Sequence, residues 1–194
     1  VKYLDFKGKW REFFGTPSTI FHLAVHGNPG EGKSNFCFQF ANYLADNHGK
    51  TIYISAEEGF SPTLKKKAEE TQADSLNLYF GNFKTAIEIK EYVQNIYPFI
   101  VIDSLDNMGI DEEQLRELRT FFPQSSFITI SQSTKNGKMR GSNEIAHDAD
   151  IVASVMKGIA KTSKNRFFES ETEYFIFHKK EKNGDYSAVK IRKV

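Results

Sequence analysis

The sequence predicts an α/β fold: a mostly parallel sheet flanked by helices, with antiparallel strands at its C-terminal end. Three observations carry that expectation. Short apolar runs alternate with helix-length amphipathic segments along most of the 194 residues, as strand–helix–strand units do. The run Phe99-Ile100-Val101-Ile102 is apolar throughout, which suits a parallel strand covered on both faces. Near the end, Tyr174–His178 and Ser187–Ile191 flank Lys182-Asn183-Gly184-Asp185, and Asn-Gly between such runs signals a hairpin.

Composition sets the outer bounds. With 39% hydrophobic and 26% charged residues, the chain reads as one soluble globular domain with a substantial core. No apolar run approaches the roughly 20 residues of a membrane helix, and Val1-Lys2-Tyr3-Leu4-Asp5-Phe6 carries no signal-peptide pattern; the expected location is cytoplasmic. A single cysteine, Cys37, excludes an internal disulfide and a multi-cysteine zinc site. The net charge of +1 argues against a wholesale polyanion binder, although basic residues gather from Lys135 onward.

Taken in order, residues 1–19 form an N-terminal edge or linker segment, and residues 20–194 the core. Trp10–Phe14 reads as a short amphipathic helix ended by Gly15 and Pro17. Ile20–His26 is a buried strand, and Asn35–Ala45 a helix. Thr51–Ser55 is the next strand, followed by a charged helix opening at Ser61-Pro62. Ser75–Phe80 is a short strand. Thr85–Ile96 is a helix with Ile87, Tyr92 and Val93 among its apolar positions. After the run ending at Asp103, Asp111–Phe122 is a helix with an Asp N-cap and Leu115 and Leu118 inward. Ser126–Gln132 and Ile151–Met156 are further strands.

Between the first strand and its helix stands Gly27-Asn28-Pro29-Gly30-Glu31-Gly32-Lys33-Ser34, followed by Asn35. This is the G-x-x-x-x-G-K-[S/T] pattern of a nucleotide phosphate site. The glycines let backbone N–H groups turn inward on a phosphate, Lys33 brings a compact positive charge, and the Ser34 hydroxyl can ligate Mg²⁺. The positive N-terminal end of the helix faces the same anion. In open parallel sheets, ligands collect at the carboxyl ends of the strands. Glu57, Glu58, Asp103 and Gln132 all fall there. Asp103 suits the Mg²⁺ shell, and Glu57 or Glu58 suits orienting or deprotonating an attacking water. The loop Ser133–Gly141 carries Lys135, Lys138 and Arg140. It is read as a DNA contact, as a finger reaching a neighbour's γ-phosphate, or as a solvated basic loop, and its glycines allow it to order only on binding.

The ordered motifs resemble the RecA-like ATPase family, from about Phe21 to Phe168. Ser55-Ala56-Glu57-Glu58-Gly59-Phe60 is similar to the RecA segment whose strand-end glutamate activates water, which places that role on Glu57; the Glu-Glu pair equally resembles KaiC. Ile100-Val101-Ile102-Asp103-Ser104 resembles the family's second nucleotide motif. Gln132 aligns with the glutamine that in RecA senses the γ-phosphate. Gly141–Val152 is similar to RadA/Sms and DnaB-type proteins. Lys164-Asn165-Arg166-Phe167 resembles the RadA signature Lys-Asn-Arg-Phe-Gly, with Phe168 replacing the glycine; there the basic residues are linked to DNA and to a neighbouring subunit's nucleotide. Leu64 stands where RecA has a base-stacking tyrosine, so base recognition does not transfer. The resemblance implies an ATP-hydrolysing homo-oligomer, ring or filament, with Mg²⁺ and single-stranded DNA as partner. Alternatives are a KaiC-like regulatory ATPase with a protein partner, and a nucleotide-gated assembly module with little hydrolysis.

Overall fold

The computed structural model describes residues 2–56, 62–139, 143–169, 172–177 and 191–193. The apolar runs become strands of one sheet: β1 (His22–Gly27), β2 (Thr51–Ser55), β3 (Leu78–Gly81), β4 (Phe99–Asp103), β5 (Ser126–Gln132), β6 (Ile151–Met156), β7 (Ile159–Asn165), β8 (Thr172–Phe175) and β9 (Ile191–Lys193). Among the described residues the order is β3-β2-β4-β5-β1-β6-β7-β8-β9. The pairs from β3 through β6 are parallel and the last three antiparallel, as the sequence predicts. The apex of the predicted tail hairpin lies outside the described residues; its arms pair as β8 and β9, Tyr174 opposite Ile191.

Alternate residues of a strand point to opposite faces, and the sheet fills two cores that way. Leu23, Val25, Tyr53, Phe99, Val101, Ile128 and Ile130 face α1 (Gly8–Phe14), α2 (Lys33–Asn47) and α3 (Pro62–Glu70). Ala24, Ile52, Ile54, Ile100, Ile102 and Phe127 face α4 (Ala86–Tyr92), α5 (Leu105–Met108), α6 (Glu112–Phe121) and α7 (Asn143–Asp148). The Asp111 side chain caps α6 in a full capping box with Gln114, and Leu115 and Leu118 point inward.

The first core is built on aromatic rings. Residues 2–19 lie over α2, with Phe6, Trp10, Phe13 and Phe14 buried. Trp10 stacks on Tyr174 with ring centres 4.7 Å apart, and Phe14 meets Phe40 at 4.9 Å. Phe36 and Phe40 are one helical turn apart and present one stripe to α1. From the other side of α2, Phe38 lies 4.2 Å from the Tyr53 ring of β2.

Three elements differ from the sequence expectation. α4 ends at Tyr92 rather than Ile96, with Val93 already extended. Its inward residues are Ala86, Ile89 and Val93, spaced three and four apart, while Ile87 and Tyr92 fall off that stripe and are exposed. The third strand begins only at Leu78, since Leu78 N donates to Ser75 O in a turn. β7 is an extra strand, joined to β6 by Lys157-Gly158, both with positive φ (50° and 75°); that is the two-residue hairpin geometry whose twist matches the strands.

Truncating the aromatic layer tests its weight. Phe13→Ala is expected to cost about 3–5 kcal/mol, and Leu76→Ala, at a residue 95% exposed, under about 0.5 kcal/mol, in urea unfolding followed by Trp10 fluorescence. A second prediction comes from His22, fully buried in β1 with Nε2 at 2.9 Å from Thr129 Oγ1. Burial, aided by the Arg119 charge, depresses its pKa to about 3. The unfolded chain binds a proton near pH 6.5 and the folded one does not, so stability is full above 6.5 and falls as pH drops towards 3. His22 should contribute roughly 2 kcal/mol to the difference in unfolding free energy between pH 7 and pH 5, and His22→Gln should shrink that difference by about this amount.

Candidate functional site

The two-residue period that fills the cores continues into polar residues at the strand ends. On the α2 side, β4 runs Phe99, Val101, Asp103; β5 runs Ile128, Ile130, Gln132; β2 runs Tyr53, Ser55. Register levels these ends, with Ser55 opposite Asp103 and Gly27 opposite Gln132. α2 starts on that same face, directly after the glycine-rich loop. The result is a cavity of about 240 Å³, whose lining includes Gly30, Lys33, Ser34, Ser55, Lys67, Asp103, Asn107 and Gln132.

The loop is pinned on two sides. Gly27 passes so close to β6 that a Cβ there would stand 2.3 Å from Val155 O, and its own carbonyl accepts from Ser133 N at 3.1 Å. On the other side Glu31 O accepts from Gly158 N at 2.9 Å, and the Glu31 carboxylate accepts from Lys157 N. Gly32 begins α2 in a left-handed conformation, φ 108°, that an L side chain would strain. Lys33 Nζ curls back to donate to Gly27 O and Asn28 O, both at 2.8 Å. Burial lowers its pKa, and Asp103 opposes that shift. Asn28, Pro29 and Gly30 are exposed at the tip. Asn35 Oδ1 is buried with no hydrogen-bond partner among the described residues.

Asp103 gathers the oxygens. Its Oδ2 accepts from Ser34 Oγ at 2.8 Å and from Tyr53 OH at 2.6 Å. A carboxylate and a hydroxyl at the mouth of a phosphate loop are the hard oxygen donors that Mg²⁺ takes, so this set fits the expected cation. In the first turn of α5, Asp106 Oδ2 accepts from Gln132 N at 2.8 Å, fixing the backbone that carries the Gln132 side chain to the cavity. Sequence reasoning missed Tyr53, Ser55, Lys67, Asp106 and Asn107. The strand period pointed to Tyr53 and Ser55, whereas Lys67 is one of three consecutive lysines that only the three-dimensional placement of α3 tells apart.

The remaining expected residues are distributed unevenly. Glu57, Glu58 and Arg140 lie outside the described residues. Lys135 and Lys138 are exposed on a turn closed by a Ser133–Met139 bridge and by Thr134 N donating to Lys138 O at 2.6 Å. The bridge buries Met139 under the turn and leaves the two lysines outside. Lys164 Nζ donates to Ala146 O and His147 O at 3.1 and 2.6 Å, and Arg166 to His147 O and Asp150, covering the C-terminal end of α7. Lys164 pairs with Val152 at the start of β6, whereas the phosphate loop meets the turn after β6 ends. A strand of six residues places them roughly 16 Å apart. The structure does not bring Lys164 and Arg166 to the chain's own phosphate loop.

Sheet order, loop and strand-end residues define a RecA-like P-loop fold. One solved ATPase domain superposes with a TM-score of 0.63 at 15% identity, covering 81% of each chain. The flagellar accessory protein FlaH from Methanocaldococcus jannaschii superposes with a TM-score of 0.68 at 13% identity, covering 99% of each. In sequence, the chain is related to proteins named DNA repair protein RadA. That of Chlamydia trachomatis serovar D is 27% identical over 180 residues, 81% of this chain and 39% of the relative. The chain therefore spans about two fifths of the length of such relatives. No protein-family profile matches it. No helix among the described residues is long and apolar enough to cross a membrane.

His26, just before the loop, joins the site to the basic turn: its Nδ1 lies 2.9 Å from Ser133 Oγ. Burial first, and the Lys33 charge second, lower its pKa. Its imidazole should therefore titrate below the ordinary 6.5 by NMR, and Lys33→Ala should move the midpoint back up; an unmoved midpoint would show that the two groups are uncoupled.

Proposed function

We propose that the chain binds ATP with Mg²⁺, hydrolyses it, and works on single-stranded DNA as part of a homo-oligomer. The observation that supports this most is the levelled set of Lys33, Ser34 and Asp103 at the mouth of the glycine-rich loop. Ser34 and Asp103 would hold Mg²⁺, which when bound offsets charge on the phosphate oxygens. Lys33 neutralises the β- and γ-phosphates, leaving its present carbonyl partners to do so. Backbone N–H groups from Gly30 to Ser34 cradle the phosphates. Glu57, with Glu58 beside it, orients or deprotonates the attacking water, and Gln132 answers to the γ-phosphate. Lys135 and Lys138, exposed on a turn that begins one residue after Gln132, suit a phosphate backbone. The DNA reading draws on the RadA name of the relatives.

The test is the ATP turnover rate with and without single-stranded DNA at two salt concentrations. DNA should raise turnover at low salt and lose that effect as salt rises. Lys33→Ala should lower turnover roughly 100-fold or more. Turnover indifferent to DNA at low salt would sink the DNA role and favour a regulatory ATPase with a protein partner. Tight ATP binding without turnover, unchanged in Glu57→Gln, would favour a nucleotide-gated assembly module.

A further inference from the structure

The cavity over the phosphate loop is lined mainly by polar groups and suits phosphates, but a nucleotide also carries a base. The position expected from the RecA resemblance offers no platform, since Leu64 is 6% exposed and packed within the first core. The structure places a different side chain against the loop. Phe177, just past β8, covers Gly32: a Cβ at Gly32 would stand 3.2 Å from Phe177 Cε2 and 3.3 Å from Cζ. The same ring covers Gly158 in the β6–β7 turn, where a Cβ would stand 2.7 Å from Phe177 Cδ2.

With one side of the ring against two glycines, Phe177 is still 55% exposed. An apolar ring left in water next to a phosphate site costs free energy that a stacked base would recover. The backbone just before it is held by hydrogen bonds. Ile176 N donates to Gly158 O at 2.9 Å, and Gln39 Nε2 on α2 donates to Ile176 O at 2.8 Å. Gln39 Oε1 in turn accepts from Tyr174 OH at 2.6 Å. The helix that starts at the phosphate loop thus also positions the ring.

We propose that Phe177 is the base platform of the site: the nucleotide lays its triphosphate over Gly27–Ser34 and stacks its base on the exposed face of Phe177. This rests on the nucleotide reading above and deepens it. Stacking on an aromatic face is tolerant of base identity, so the site accepts adenine and guanine nucleotides with similar affinity.

The experiment compares Mg²⁺·ADP with Mg²⁺·tripolyphosphate, which has phosphates and no base, on the wild type, Phe177→Leu and Phe177→Trp. Leucine keeps an apolar side chain over Gly32 and removes the aromatic face. ADP affinity should fall roughly tenfold in Phe177→Leu while tripolyphosphate affinity stays unchanged. In Phe177→Trp, ADP affinity should be kept, and ADP but not tripolyphosphate should quench the new tryptophan, read against the buried Trp10 of the wild type. Equal losses for both ligands in Phe177→Leu would overturn the proposal, leaving the ring as a prop for the loop. So would unchanged ADP affinity, or a wild type that binds tripolyphosphate as well as ADP, and in those cases the phosphate site would stand. A wild type that binds neither ligand would overturn the nucleotide reading and this proposal together.

Discussion

Two hydroxyls converge on one carboxylate oxygen, and the site depends on that meeting. Ser34 comes from the start of α2, Tyr53 from β2, and Asp103 from β4, three segments far apart in sequence. They meet because Asp103 sits two residues beyond Val101 and four beyond Phe99, on the pleat face that packs under α2. A register slip of one residue in β4 would turn Asp103 to the α4–α6 side and leave the Ser34 and Tyr53 hydroxyls without it. The apolar run therefore does more than fill a core. By fixing the register it aims the first polar residue after it.

The aromatic layer matters for the same reason. A helix whose N-terminus must meet strand ends to within a hydrogen bond cannot slide or tilt freely. α2 is held from above by Trp10 and Phe14 against Phe36 and Phe40, and from below by Tyr53 against Phe38. Tyr53 joins both tasks: its ring packs on α2 and its hydroxyl reaches Asp103. The loop before α2 is fastened separately, through Glu31 to the β6–β7 turn and through Gly27 to Ser133. Packing places the helix, and backbone hydrogen bonds shape the cradle.

Much of this was legible in the sequence, because local rules and global fold agree there. The loop pattern, the apolar run into Asp103, the Asp111 cap and the polar end of β5 each follow from a period or a short motif. What was not legible depended on distance along the chain. Ile87 and Tyr92 look like core residues until the neighbouring helix α6 shows which stripe of α4 is covered. The Lys157-Gly158 turn escapes a sequence reading because five of the seven residues of β7 are polar, and a strand beside β6 is apparent only once β6 has a partner. Lys67 and Asp106 carry no motif; the fold brings them to the cavity and to Gln132. The turn at residues 133–139 was not legible either, because the Ser133–Met139 bridge that buries Met139 joins residues with no shared motif.

The placement of Lys164 and Arg166 constrains any assembly. Both sit where β6 begins, at the opposite end of the sheet from the chain's own phosphate loop, and both hold the last carbonyls of α7. If either serves a nucleotide, that nucleotide belongs to another copy. One copy would then present its strand starts and the next its strand ends, so the two contacting surfaces differ. Such a contact is heterologous: repeated, it closes into a ring or runs on as a filament, and it does not stop at a two-fold dimer. In that arrangement α7 would lie beside the neighbour's nucleotide, and the hydrogen bonds from Lys164 and Arg166 to its carbonyls would have to be exchanged for bonds to phosphate. A nucleotide in one subunit would then act on the C-terminal end of α7 in the next.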